Sequence, residues 1–116
     1  MKYILLIYGD PAVEAQLNEE QMQQIYQAHE AYGQAMEEAG VLRGGAELKP
    51  PATATTVRFA GGRTSLVDGP FAETKEHLGG YYLIETDTLD QALAWAAKLP
   101  VVGDGAVEVR PLGMGG

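Results

Sequence analysis

Residues 3–8 read YILLIY, and each of the six is apolar or aromatic. Side chains alternate between the two faces of a β-strand, so a strand built from this run presents an apolar surface on both sides. Such a strand belongs in the middle of a sheet that is covered on both faces. The turn-forming residues Gly9, Asp10 and Pro11 follow and end it.

A long helix is predicted next from its end signals. Asn18 and Gln21 have the spacing of a capping box, in which each side chain accepts a hydrogen bond from the other residue's backbone. Apolar positions then recur at steps of three and four residues as far as about Ala39. Gly40 suits the left-handed conformation that commonly ends a helix. The pattern therefore predicts a helix between these limits, with His29 on its apolar stripe.

The remaining elements follow from turn residues and alternation. Gly61-Gly62 between two alternating segments indicates a β-hairpin with a two-residue turn. Thr88 caps a second helix over 89–99, which Pro100 ends. Strands are predicted over 41–48, 55–60, 63–68, 81–86 and 106–110.

This order, β-α-β-(β-β)-β-α-β, predicts an α+β fold. Without the inserted hairpin it is the split βαββαβ arrangement of the ferredoxin-like fold. Two helices cover only one face of such a sheet, whereas residues 3–8 are apolar on both. The economical cover for the second face is the same face of another copy, so we expect a two-fold homodimer with the sheets facing each other.

Composition narrows the functional classes. The chain has 116 residues, which fits one domain over 1–116, and a net charge of −8. That charge counts against nucleic-acid binding and against anionic membrane surfaces. The absence of cysteine excludes disulfides and thiol nucleophiles. The first apolar run is too short for a signal peptide or a membrane span, so we expect a soluble cytoplasmic protein.

Four segments carry a family resemblance: MKYILLIYGD, AGVLRGGAELKPP, DGPFAETKEHLGGYYLIE, and ALAWAAKLP with the later VEVRPL. Together they span essentially the whole chain, and it resembles the YCII-related proteins, specifically the branch named for its DGPF motif. The resemblance implies a ferredoxin-like fold that forms a dimeric α/β barrel. The branch is largely uncharacterised, and its genes are often associated with extracytoplasmic-function sigma factors.

The resemblance also implies a His-Asp site. His29 stands eleven residues before Gly40 and matches the family's histidine, while Asp68 is the candidate aspartate by motif. An imidazole takes or gives a proton near neutral pH, so His29 suits acid–base chemistry. The alternatives are a core histidine satisfied by a backbone carbonyl or a tyrosine hydroxyl, and a metal ligand. The latter is disfavoured because only His77 is a second histidine and no metal-binding spacing appears.

The DGPF loop, residues 68–76, offers further candidates. Lys75 would bind an anion there, and Glu73 or Asp68 would hold His29, if the charged end of the loop closes over a pocket. The alternative is a rigid surface loop with a charge pair. Phe71 is expected to be an anchor buried against the sheet.

Tyrosines offer a second set of candidates. Tyr8, Tyr81 and Tyr82 would line an inner cavity, of which Tyr8 is our candidate ligand-binding residue. The alternative is that they pack within the sheet or at the dimer interface.

The leading functional hypothesis is therefore a small-molecule-binding dimer with a pocket between the first helix, the sheet and the DGPF loop. If it is an enzyme, fold analogy suggests a lyase or isomerase that needs no metal or redox cofactor, with His29 as base and Asp68 as its orienting partner. The alternative is a non-catalytic regulatory or partner-binding dimer linked to sigma-factor-dependent regulation.

Overall fold

The structure, a computed structural model, describes residues 1–72 and 74–113, so the predicted site residue Glu73 lies outside the described residues. The elements in these two ranges are β1 (Lys2–Gly9), α1 (Pro11–Glu14), α2 (Glu19–Glu38), β2 (Leu42–Glu47), a 3-10 turn (Pro51–Thr53), β3 (Thr55–Ala60), β4 (Arg63–Asp68), β5 (His77–Glu85), α3 (Leu89–Ala97) and β6 (Ala106–Pro111).

The main sheet has four antiparallel strands in the order β2-β5-β1-β6. The YILLIY run forms the interior strand β1, as predicted. Its neighbours are fixed in register, since Leu5 lies opposite Tyr82 of β5 and Val109 of β6. Together with the helices, this sheet confirms the predicted α+β class.

One face of the sheet packs against α2 and α3 to form the core. Leu5 and Ile84 from the sheet and Met36 from α2 are fully buried. The other buried apolar residues are Tyr3, Tyr32, Ala92 and Leu99. Burial of these side chains is the main favourable term that holds the helices to the sheet.

The predicted capping box of α2 is formed. The Asn18 Oδ1 atom accepts a hydrogen bond from the Gln21 backbone N–H at 2.8 Å, and the Gln21 Oε1 atom accepts one from the Asn18 N–H at 2.9 Å. Thr88 and Gln91 repeat the arrangement at the start of α3. Gly40 follows α2 with a φ of 73°, the left-handed conformation expected of a glycine stop.

The opposite face of the sheet has a different character. Strand alternation puts Ile4 and Leu6 of β1 on this face, with Tyr81 and Leu83 of β5 directly beside them. None of the four belongs to the core that the helices cover. We call these four residues the open face.

The predicted hairpin forms, but as a sheet of its own. Strands β3 and β4 pair with each other and not with the main sheet. Gly61 and Gly62 turn the chain with φ values of 57° and 76°, the pair of positive values that a type I′ turn requires. We call residues 55–68 the arm. It contributes to a radius of gyration of 16.0 Å, compared with about 13 Å for a compact domain of this length.

Two local expectations were wrong, and one element was not predicted. The element is α1, a single helical turn capped by Asp10. Strand β5 begins at His77 rather than Tyr81, because Gly80 is part of the sheet and pairs with Ile7 of β1 and Glu47 of β2. Phe71 is 73% exposed rather than buried; the Arg58 guanidinium lies over its ring, 5.2 Å from the centroid.

Candidate functional site

His29 lies midway along α2 and points toward the helix-covered face of the sheet. Its Nδ1 atom is 2.8 Å from the hydroxyl of Tyr82, which β5 places on the same face as Leu5. The two rings are stacked, with centroids 6.0 Å apart and planes inclined by 19°. His29 therefore has a specific partner and is held between a helix and a strand.

Other aromatic side chains fix the orientation of Tyr82. The ring of Tyr32 meets that of Tyr82 edge-on at 5.4 Å and that of Trp95 at 6.1 Å. The Tyr32 hydroxyl donates a hydrogen bond to the Trp95 carbonyl at 2.7 Å. Edge-on aromatic pairs are favourable, and the Tyr32 ring is itself fixed by its hydrogen bond to the α3 backbone. Tyr32 therefore holds the Tyr82 side chain in place beside His29.

Burial sets the charge states of this pair. Desolvation lowers the pKa of His29 below its ordinary value of 6.5, and this outweighs the opposing effects of the Pro100 backbone and the Glu47 carboxylate. Burial also raises the pKa of Tyr82. At neutral pH the site therefore contains a neutral imidazole and a protonated phenol.

The Tyr82 hydroxyl is the hydrogen-bonding partner that the described residues give the His29 ring. When this hydroxyl donates to Nδ1, the imidazole proton is on Nε2; in the other tautomer Nδ1–H donates to the hydroxyl oxygen. The backbone of Pro100 also acts on His29 and raises its pKa, and because proline has no N–H this effect comes from the carbonyl. A tyrosine hydroxyl and a backbone carbonyl are the partners that the core-histidine alternative expects.

A groove of about 310 Å³ lies beside this site. Pro100, whose backbone affects the pKa of His29, forms part of its wall, and Ala28 directly precedes His29 in the chain. The remaining lining residues are Leu17, Gln21, Gln24, Ile25 and Val101. The groove thus combines apolar walls with two side-chain amides. The sequence predicted that the DGPF loop would line the pocket, but the walls here come from α2, the turn before it and the segment after α3.

Asp68, the predicted partner of His29, lies elsewhere in the chain. It is the last residue of β4, is exposed, and pairs with Thr55 of the arm. Among the hydrogen bonds and ion pairs of the described residues, none joins Asp68 to His29. Within one chain the partner of His29 is Tyr82, and the His29–Asp68 pair stays a prediction.

The two remaining described candidates are also separate from His29. Tyr8 lies opposite Leu78 and Ala106 on the other side of the sheet from the helices. Lys75 is exposed in the turn that precedes β5. One chain by itself therefore does not bring Tyr8 or Lys75 to His29.

Sequence reasoning missed the pairing of His29 with Tyr82 and the presence of Pro100 beside the ring. Period-two alternation does place Tyr82 on the same face as Ile84, and helical periodicity turns His29 toward the sheet. Those two signals favour a tyrosine partner, but they do not give the crossing of α2 over β5 that selects Tyr82.

Two further findings concern residues 1–72 and 74–113. Every helix in these ranges is too short or too polar to cross a membrane. In the same part of the chain, no three histidine, aspartate or glutamate side chains come together in a way that would hold a metal ion.

Fold and site together define a small α+β protein with one helix-covered antiparallel sheet and a histidine–tyrosine pair beside a groove. Its sequence matches the YCII-related domain over residues 1–113, so the chain belongs to the YCII-related family. It is also 40% identical, over 116 residues, to an uncharacterized protein of Rhizobium meliloti (strain 1021). That match covers 98% of this chain and 94% of the relative.

Proposed function

We propose that the protein is a small-molecule-binding homodimer of the DGPF branch. The groove beside His29 takes the ligand, and His29 moves a proton in lyase- or isomerase-type chemistry. One observation carries this proposal: a neutral imidazole is held by Tyr82 at Nδ1, and Pro100, whose backbone acts on the same ring, forms part of the groove wall.

A ligand in the groove reaches His29 at Nε2, the ring nitrogen that Tyr82 does not occupy. In the resting tautomer that we propose, the Tyr82 hydroxyl donates to Nδ1 and Nε2–H donates a hydrogen bond to a ligand oxygen. In the other tautomer Nδ1–H donates to the Tyr82 oxygen, and Nε2 accepts a proton from a ligand carbon. The electron pair of that C–H bond stays with the ligand. The imidazolium then returns the proton to a neighbouring carbon in an isomerisation, or to the leaving group in an elimination.

The groove favours a small, neutral, mostly apolar ligand. Its volume is at the lower end of the range of roughly 300–1,000 Å³ for small-molecule sites. Gln21 and Gln24 supply amide groups that would hydrogen-bond a carbonyl or hydroxyl of such a ligand. The charge that acts on His29 is the negative one of Glu47, which disfavours an anionic ligand. Proton transfer of this kind requires no cofactor.

We further propose that the chain is a ferredoxin-like unit that pairs into a dimeric α/β barrel. The strand order β2-β5-β1-β6 supports this, with α2 between β1 and β2 and α3 between β5 and β6. The open face supplies apolar side chains where a second sheet would pack. A two-fold pair would bury both open faces against each other.

A second candidate is a non-catalytic regulatory dimer linked to sigma-factor-dependent regulation. The observation that favours it is the environment of His29, whose Nδ1 already has a partner within the chain, the Tyr82 hydroxyl. In this case the His29–Tyr82 hydrogen bond would stabilise the fold, and the protein would act through its surface.

A ligand screen with matched histidine variants separates the two. Small neutral carbonyl compounds are screened by NMR against the native protein, His29→Gln and the control His77→Gln. We expect hits that shift the Gln21 and Gln24 side-chain amide signals and bind at least about tenfold more weakly to His29→Gln, since roughly 1.4 kcal/mol corresponds to tenfold.

Catalysis is tested on the same hits. If a hit is turned over, His29→Gln should lower the rate by about 10²- to 10⁴-fold, the usual contribution of general acid–base catalysis. Binding and turnover that are equal in native protein and His29→Gln would rule out the proposed role of His29. The regulatory candidate would then be the better description.

A further inference from the structure

The two faces of the arm differ in chemistry. Directly opposed residues of an antiparallel pair share a face, so Val57, Phe59 and Leu66 lie on one side, which we call the apolar arm face. Arg58 and Arg63 lie on the other side. The exposed fractions of Val57, Phe59 and Leu66 are 48%, 80% and 74%.

The apolar arm face exposes three large apolar side chains on a small two-stranded sheet. A two-stranded hairpin by itself is marginally stable in water, and contiguous exposed apolar side chains are a feature of interaction sites. The arm forms its own sheet, and Val57, Phe59 and Leu66 belong neither to the core nor to the residues packed against it. Something outside the described part of this chain is needed to cover them.

Charge indicates what that partner is. Residues 55–68 contain two arginines and one aspartate, which gives the arm a net charge of +1. Because the whole chain has a net charge of −8, the rest of the chain has a net charge of −9. Helix α2 alone has five glutamates and neither lysine nor arginine. A cationic arm on an acidic body is complementary to a second molecule of the same kind.

Position leads to the same partner. The arm leaves the body after β2 and the chain returns to β5, the strand whose Tyr81 and Leu83 form half of the open face. The apolar arm face is therefore close in the chain to the surface that the proposed dimer covers. The described residues measure 46 × 41 × 19 Å, a flat shape that a second layer would make compact.

We propose that the apolar arm face packs on the body of a second copy of this chain, so that two molecules exchange arms. This inference rests on the dimer of the proposed function and adds the arm to its interface. Val57, Phe59 and Leu66 bury against the partner. Arg58 and Arg63 lie on the opposite side of the hairpin and give the arm the positive charge that attracts the acidic body of the partner through long-range electrostatics. The arm then contributes to affinity and not only to the path of the chain.

Sedimentation velocity over a range of concentrations tests the exchange. The arm variant is the double substitution Phe59→Ser and Leu66→Ser. The control is Leu89→Ser and Leu93→Ser, which removes two exposed leucines of α3 with exposed fractions of 47% and 44%. We expect the native protein and the control to be dimers. The dissociation constant of the dimer should be at least tenfold higher for the arm variant than for the native protein.

A second variant covers the case in which the arm itself unfolds. Arg58→Glu with Arg63→Glu keeps the apolar arm face, and we expect it to weaken the dimer most at low salt, where charge is least screened. A native dimer that both arm variants leave unchanged would overturn the arm exchange but leave the sheet-to-sheet dimer in place. A native monomer would overturn both.

Discussion

At the scale of single residues, His29 is defined by its three neighbours. The Tyr82 hydroxyl lies at Nδ1, while the backbone of Pro100 and the charge of Glu47 both act to raise the pKa of the ring. Burial nevertheless dominates and keeps the imidazole neutral. A neutral histidine beside a groove is able to accept a proton at physiological pH, which a permanently charged one is not.

The lowered pKa of His29 predicts a pH-dependent stability. A histidine with a lower pKa in the folded than in the unfolded state contributes stability that is fully present above the unfolded value of about 6.5. As the pH falls below the unfolded pKa, this stability is progressively lost. Below the folded pKa there is no further loss, because the histidine is protonated in both states. We expect the melting temperature of the native protein to fall more between pH 7.5 and pH 5 than that of His29→Gln. Parallel curves would contradict the neutral, desolvated imidazole.

Prediction from sequence worked in part for these residues. Helical periodicity turned His29 toward the sheet, and a tyrosine hydroxyl or a backbone carbonyl was among the partners considered. The choice of Tyr82 depends on a contact across 53 residues, which strand register and helix crossing decide together. Phe71 was placed wrongly because an aromatic residue in a turn was expected to be buried, whereas here it lies under Arg58 on the surface of the arm.

At the scale of elements, local signals carried most of the information. The Asn18–Gln21 capping box, the Thr88 cap and the Gly61-Gly62 turn depend on neighbours within three residues, and each formed where the sequence placed it. The start of β5 was misplaced because two glycines suggest a loop. In the sheet, Gly80 is needed for close approach of β2, since an added Cβ would lie 2.8 Å from the Ala46 carbonyl oxygen.

Glycine-to-alanine substitutions in β5 and α2 should have opposite effects. Gly80→Ala forces a methyl group against the backbone of β2, and we expect it to destabilise the protein by about 1–3 kcal/mol. Gly33→Ala adds a methyl group that meets nothing within 4 Å, inside a helix where alanine is favoured by about 1 kcal/mol. Urea unfolding measures both. A stabilising Gly80→Ala would contradict the observed β2–β5 register.

At the scale of the whole molecule, the chain is an acidic body with a cationic arm. The sequence predicted the hairpin strands with their observed bounds, but not that they form a separate sheet. The alternation of apolar and polar residues indicates which two strands pair across a turn. It does not indicate whether a third strand lies beside that hairpin. The homodimer, predicted because residues 3–8 are apolar on both faces, depends on a second molecule and stays a prediction.

Imidazole ¹⁵N NMR of His29 between pH 8 and pH 5 tests the central claim most directly. The spectra are recorded for the native protein, Tyr82→Phe and Asp68→Asn, with the His77 signals revealing any global change. In the native protein we predict a neutral ring at pH 7 with the proton on Nε2, and a pKa below 6.5.

Tyr82→Phe removes the hydroxyl that donates to Nδ1, so it should raise the pKa of His29. A response to Asp68→Asn would support the His29–Asp68 pair, and no response would reject it. The proposed site is contradicted if His29 in the native protein is charged at pH 7, or carries its proton on Nδ1 and is indifferent to Tyr82→Phe.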